Sequence, residues 1–388
     1  MAIRSKLSVA ATLALLAAPA LADPLAQPSM GATLAGAANP FSLAAGPLGK
    51  VYVSGVVSGL GLVQDNHSPF DRSNLADLAN GQVFIQTTSG PVQFFIDAGV
   101  YALPALGTAY VHATTNTSAT YSGLPMAYLK LQPTPELSIQ IGKLPTLIGA
   151  EAAYTFQNIN IERGLLWNQE PVFSDGVQVN YAKGKIALSV SLNDGFYSNR
   201  YNWLSGSAAY TLSAKDSLTV SGGASLSRYD RQTTATPVLL NNGGLVDLIY
   251  THTEGPWMIS PYLQYTHSEP IHALGQDFAG ADTWGAAVLG KVSFNAHWSL
   301  AGRAEYIASS SAACPPGDPL CARTSLLYGP GSKALSLTLT PTFQQGAFFA
   351  RAEASWVDVF SGASGAMFGQ LGDARSQVRG LIETGFVF

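Results

Sequence analysis

From Lys50 to Phe388 the sequence repeats one pattern, a run of alternating apolar and polar residues followed by a break, and the breaks are in turn short and long. Runs of this kind lie near 50–60, 82–89, 91–102, 124–132, 136–144, 173–182, 185–193, 201–212, 216–228, 243–252, 256–267, 282–294, 297–308, 333–343, 346–359 and 376–388. The short breaks are Ser89-Gly90-Pro91, Pro133-Thr134-Pro135, Lys183-Gly184, Ser213-Ala214-Lys215, Thr253-Glu254-Gly255, Asn295-Ala296 and Gln344-Gln345-Gly346, all rich in turn formers. The long ones fall near 61–81, 103–123, 145–172, 194–200, 229–242, 268–281, 309–332 and 360–375. Alternation with period two places apolar side chains on one face of a strand and polar ones on the other. An all-β, antiparallel up-and-down barrel of about 16 strands has this loop rhythm: its turns are tight at one rim and free to lengthen at the other. A β-propeller would show a repeat of fixed period, and none is present.

The final run, SQVRGLIETGFVF, states the two faces most clearly. Val378, Gly380, Ile382, Thr384, Phe386 and Phe388 fall on one side, and Gln377, Arg379 and Glu383 on the other. In Lys333 to Phe343, Leu335, Leu337 and Leu339 oppose Ser336, Thr338 and Thr340, which fits an apolar surface toward lipid and a wet lumen rich in Ser and Thr. Outward aromatics gather near strand ends. Trp257, Phe294, Trp298, Phe343, Phe348 and Phe388 mark one rim, and Trp284, Tyr306 and Trp356 the other, as in two interfacial girdles.

The composition agrees with a membrane barrel. Charged residues are 11% of the chain, against about a quarter in ordinary soluble domains. Met1 to Ala22 reads as a signal peptide: Arg4 and Lys6, an apolar run from Leu7 to Ala18, then Ala20-Leu21-Ala22 as a small-x-small cleavage site. Residues 23–49, rich in Ala, Gly and Pro, read as an N-terminal periplasmic extension, and 50–388 as the barrel. The net charge of −4 becomes more negative without the leader, which argues against nucleic acid as a partner. Cys314 and Cys321 share one Pro/Gly-rich loop, and in an exported chain this favours a disulfide.

Over Leu137 to Phe196 the chain resembles the OmpL-like β-barrel porins of Gram-negative outer membranes. The resemblance rests on Ile141-Gly142-Lys143, on the insertion Asn160-Ile161-Glu162-Arg163-Gly164-Leu165-Leu166, on Asp175-Gly176-Val177 and on Asn193-Asp194-Gly195. It implies an outer-membrane pore through which small hydrophilic solutes and ions diffuse. It names no particular solute.

Selectivity in such a pore would come from its narrowest part and from the charges that line it. The loop from Pro145 to Pro171 is the third long one, begins on an apolar stretch and carries Glu151, Glu162, Arg163 and Glu170, so it is expected to fold into the lumen as a constriction. Parity along the strands turns Lys50, Lys130, Lys291, Arg303, Arg351 and Arg379 inward, together with Asp97, Asp247, Glu305, Glu353 and Glu383. Two other functions stay open: a plugged or gated barrel with a structural or surface-binding role, and an outer-membrane hydrolase. The second has little support, because the six His are scattered and no Gly-x-Ser-x-Gly elbow occurs. His267, Glu269 and His272 share a loop and could bind a metal, but isolated loop histidines are more often solvated, and neither a metal nor another cofactor is expected. The partners expected are outer-membrane lipid, small polar solutes or ions, two further copies in a homotrimer, and the barrel-assembly machinery, addressed through Phe388.

Overall fold

In the computed structural model, residues 34–36, 40–68, 71–310, 321–322 and 326–388 are described. The leader and Cys314 lie outside them, as does the Cys321 side chain, so the expected disulfide falls outside the described residues.

Sixteen long strands, labelled here β1 to β16, form one closed antiparallel barrel. They are β1 Lys50–Gln64, β2 Asn74–Thr87, β3 Val92–Tyr101, β4 Met126–Leu131, β5 Leu137–Pro145, β6 Phe173–Lys183, β7 Ile186–Asn193 and β8 Trp203–Thr211. The second half comprises β9 Asp216–Ser225, β10 Gly243–Glu254, β11 Trp257–Ser268, β12 Ala281–Ser293, β13 Trp298–Ser309, β14 Lys333–Gln345, β15 Phe348–Val359 and β16 Ser376–Val387. Each pairs with the next, and β1 closes on β16 from Val56↔Val387 to Gln64↔Arg379. Closure satisfies every ladder group within the wall, a requirement of hydrocarbon that only helices and closed barrels meet. At the seam the Gly55 N–H donates to the Phe388 carbonyl at 2.6 Å, and the Phe388 N–H returns a bond at 2.9 Å. A Cβ on Gly55 would lie 2.7 Å from the Phe388 ring and 2.7 Å from the Gln82 carbonyl, so glycine is what lets the last ring approach.

Along most strands burial alternates residue by residue. On β16, Val378, Ile382 and Phe386 are exposed while Gln377, Arg379, Leu381 and Glu383 are buried. The outward aromatics form a contact chain at one rim: Trp298 to Phe343 at 5.0 Å, Phe343 to Phe348 at 6.4 Å, and Phe348 to Phe386 at 5.6 Å between ring centroids. Tyr265 and Trp284 pack at 4.4 Å toward the other rim.

Three features depart from the sequence reading. β2 begins at Asn74 and β1 runs to Gln64, so the first long break is shorter than the 61–81 expected. The segment NLADLANG looks like a turn, yet Leu75 to Asn80 pair with β1 across a register shift at Ser58/Gly59. Second, Lys50, on the inward parity of β1, is exposed at the very start of its strand instead of buried among the lumen charges. Third, the inner wall at β2 to β6 is aromatic instead of Ser/Thr-rich. Phe84, Phe95, Tyr101, Tyr128 and Phe173 are all buried there.

Part of the N-terminal extension is attached to the barrel. Phe41–Ala44 pairs antiparallel with Lys50–Val53. Ala35 exchanges two 2.8 Å hydrogen bonds with the Gln344 side chain at the rim of short turns, and Leu34 is buried in the same apolar cluster as Val56 and Phe349.

Candidate functional site: the segment 146–172 and the inner wall

The connection between β5 and β6 contains only short helical turns, Thr155–Gln157 and Leu166–Gln169, so most of its backbone polar groups need partners outside itself. Inward-facing side chains supply them. Arg303 on β13 donates to Glu151 at 2.6 Å and to the Glu162 carbonyl at 2.8 Å. Glu305, two residues on and on the same face, accepts the Leu165 and Leu166 N–H groups at 3.0 and 3.3 Å. Arg351 on β15 holds the Thr155 and Asn158 carbonyls, each at 2.9 Å. Glu353 accepts the Ile161 and Glu162 N–H groups at 2.5 and 3.0 Å. On β16, Arg379 meets Glu162 at 2.8 Å and Gln64 at 2.7 Å, and Glu383 accepts from Thr155 at 2.7 Å.

The strand residues therefore alternate in role. Arginines cap loop carbonyls and carboxylates, while glutamates cap loop amides. Arg351 pairs with Glu383 at 3.5 Å, and Arg303 bridges Glu151 and Glu305. Glu353 bonds loop amides and Thr340. All these groups are buried, and removing one member of such a set leaves its partner charge stranded at a cost of about 3–5 kcal/mol.

A second contact is apolar. Tyr154 and Phe156 stack at 5.9 Å between centroids, and Tyr154 meets the ring of Tyr101 edge-on at 5.3 Å. Phe156 packs on Phe84 at 6.0 Å, and the Tyr154 hydroxyl donates to Asp97 at 2.5 Å. A third contact lies at the end of the segment. Gln169 accepts from Thr283 of β12 at 2.5 Å, and Glu170 accepts from the Tyr262 hydroxyl and from Gln264 Nε2 at 2.9 Å, both on β11. Burial, with Asp247 beside it, pushes the Glu170 carboxyl well above the usual glutamate range.

Arg163 stands apart from the other arginines. Its guanidinium is fully buried 4.9 Å over the Trp167 ring, and none of its nitrogens has a hydrogen-bond partner among the described residues. Burial pushes it down to about 10, against the pull of Glu151 and Glu162. Lys130 and Lys291 are half-buried on β4 and β12, and Lys291 lies within electrostatic range of Arg351.

Beside the segment, against the wall from β4 to β12, lies a cavity of 290 Å³. Lys130, Gln140, Asn180, Ser207, Thr219 and Ser260 line the wall side, and residues 145–153 with Gln157 to Ile159 line the other. The sequence pattern turns these polar side chains inward. It does not reveal the aromatic floor, because an apolar residue on the polar face of a strand reads like a lipid contact. The histidines do not assemble. His112, His252, His267 and His272 each pair with a different aspartate, and His272 bonds Asp277 while His267 bonds Asp282. Among the described residues no group of three or more His, Cys, Asp or Glu could hold a metal.

Solved structures with the same fold are outer-membrane proteins. OmpT of Vibrio cholerae superposes with a TM-score of 0.56 at 12% identity, covering 90% of this chain and 100% of its own. The anion-selective porin from Comamonas acidovorans gives 0.58 at 9% identity, covering 87% and 99%. The outer-membrane channel DcaP of Acinetobacter baumannii gives 0.55 at 11%, covering 87% and 97%. No curated protein matches the chain in sequence. Residues 50–388 match the family described as beta-barrel porin-2, OmpL-like. The chain belongs to that family of OmpL-like β-barrel porins and is a porin-like barrel of the bacterial outer membrane.

Proposed function

We propose that the barrel is a passive channel for small hydrophilic solutes and ions, and that residues 146–172 fold across its lumen as the constriction. The carrying observation is the asymmetry of the interior. The segment is bonded to inward-facing groups of β11 to β13, β15 and β16, and a cavity remains on the β4 to β12 side whose wall mixes polar residues with Ile249, Met258 and Leu289. Glu151 then stands at the edge of the passage, Glu162, Arg163 and Glu170 are buried within the segment's contacts and shape it from behind, and Lys130 is a wall charge of the cavity. Arg303, Glu305, Arg351, Glu353, Arg379 and Glu383 act through the segment, by fixing it. Planar-bilayer recording of the wild type beside a deletion of Ala150 to Glu170 tests this reading. Open steps in the wild type that enlarge in the deletion support it; identical steps in both count against it. The reading excludes a hydrolase, and lipid or peptide turnover by the pure protein would overturn that part.

We also infer a homotrimer that meets through β1 to β5. One OmpT structure of Vibrio cholerae is a trimer form. In this chain the outward faces of β1 to β5 carry no Trp or Tyr, whereas Tyr181, Tyr210, Tyr250, Trp257, Trp284, Trp298 and Tyr306 point outward from β6 to β13. Aromatic girdles mark lipid contact, so the bare sector fits a protein neighbour. Cross-linking through Val83→Cys should give a ladder that stops at three, and a monomer under the same conditions would overturn the inference. Phe388, held at the seam by Gly55, is the residue we assign to recognition by the barrel-assembly machinery.

A further inference from the structure

At the end of the constriction segment the charge balance fails. Glu170 reaches the wall at β11, and Asp247 on β10 lies close enough to it for the two carboxylates to interact charge to charge. Both are buried, Glu170 at 4% exposure and Asp247 at 0%. No Lys, Arg or His pairs with either among the described residues. Glu151, the third carboxylate in range of Glu170, is held by Arg303. Elsewhere in this interior every buried glutamate is bonded to an arginine or to loop amides, and Asp97, the other buried carboxylate without a cation, has Gln82 and the Tyr154 hydroxyl as donors.

Several oxygens surround the pair, with the Gln264 amide nitrogen and the Gly149 N–H as the nearby donors. Asp247 is flanked in the ladders by Ser221 of β9 and Gln264 of β11, its direct cross-strand neighbours. Glu170 Oε1 accepts from Gln264 Nε2 and the Tyr262 hydroxyl. Glu170 Oε2 has no hydrogen-bond partner, nor has Gln264 Oε1, and Gln264 is itself 3% exposed. Gly149, at φ +95°, makes the room for the carboxylate, since a Cβ there would lie 1.8 Å from Glu170 Oε2.

We propose that Glu170, Asp247, Gln264 and Ser221 form a calcium site that ties the end of the constriction segment to β9, β10 and β11. Two carboxylates, an amide carbonyl and a hydroxyl are hard donors in an irregular set, which suits the six to eight flexible oxygen contacts of Ca²⁺. Mg²⁺ would have to keep waters in a place that excludes them, and Zn²⁺ would want nitrogen or sulfur. The ion supplies the countercharge that the protein omits, and protons compete for the same oxygens, so affinity rises with pH. With the arginine network on β13 to β16 holding the neighbouring stretch of wall, and Gln169 bonded to Thr283 of β12 between them, the segment is then moored along one continuous arc of strands. The regulatory consequence rests on the constriction reading; the binding does not.

The test uses the purified, folded barrel in detergent after treatment with EGTA. Tb³⁺ luminescence is excited through Tyr262, whose hydroxyl touches Glu170, and Ca²⁺ is then titrated as competitor. One saturable site displaced by Ca²⁺ is expected, weakened about tenfold or more in Asp247→Asn and Glu170→Gln and unchanged in Glu269→Gln on an exposed loop. Heat-modifiability on gels reports whether each variant is folded. Should the carboxamide variants fail to fold, calorimetric Ca²⁺ titration of the wild type decides alone. Absence of stoichiometric binding, or Tb³⁺ binding indifferent to Asp247→Asn, would overturn the site and leave a shared proton as the answer to the buried pair. Because binding is read without conductance, a failed site and a failed channel reading are told apart.

Discussion

Arg303 and Glu151 are joined by a 2.6 Å ion pair with both side chains buried, one on a barrel strand and the other on the connection between β5 and β6. The pair is worth most through what its loss would strand. Arg303→Gln would leave Glu151 and Glu305 without their cation, so it should loosen residues 151–166 by about 3–5 kcal/mol while the barrel stays closed. Hydrogen exchange at Gly164, Leu165 and Leu166 would show the loss of protection. In the Arg303→Gln/Glu151→Gln double variant the effects should be less than additive, and full additivity would mean that the pair does not couple.

Gly55 should be intolerant of any side chain. In Gly55→Ala the new Cβ would collide with both the Phe388 ring and the Gln82 carbonyl, so the seam must spread or the ring must leave. The expected result is slowed assembly and a melting temperature lowered on heat-modifiability gels. Replacing Phe388 by Leu in the same chain should recover part of it, whereas a normal melt for Gly55→Ala would show that the seam is looser than the 2.6 Å bond implies.

The Glu170 carboxyl gives the docking of the segment a pH dependence. Burial, and then Asp247, raise it in the folded chain. A carboxyl raised on folding contributes fully below its ordinary value near 4.5 and loses that contribution as pH climbs through the raised one. In EGTA, therefore, amide protection around Trp167 to Glu170 should fall with rising pH, and Glu170→Gln should flatten the profile. A wild-type profile already flat in EGTA would contradict the assignment.

Much of this was legible in the chain. Parity alone turns Arg303 and Glu305, Arg351 and Glu353, and Arg379 and Glu383 inward, because residues two apart on a strand share a face. Pro145 to Ala150, apolar for a surface loop, marks the segment that meets the wall. Partner choice was not legible, since whether Arg379 meets Glu383 or Glu162 depends on where a loop without regular structure comes to rest. The inner aromatics were hidden for another reason: Phe95 beside Phe94 satisfies both faces of a strand at once. Asn74 to Gly81 reads as a turn because its Asn, Asp and Gly are weak strand formers, and pairing with β1 overrides that preference.

The central claim is that residues 146–172 set the width of the passage. Single-channel conductance of the wild type, Arg303→Gln and the Ala150 to Glu170 deletion, recorded in one planar-bilayer series with cation and anion reversal potentials, tests it most directly. The expected order is smallest and steadiest in the wild type, noisier in Arg303→Gln and largest in the deletion. A silent wild type that opens only on deletion would make the segment a plug instead of a constriction, and equal steps in all three would contradict the account.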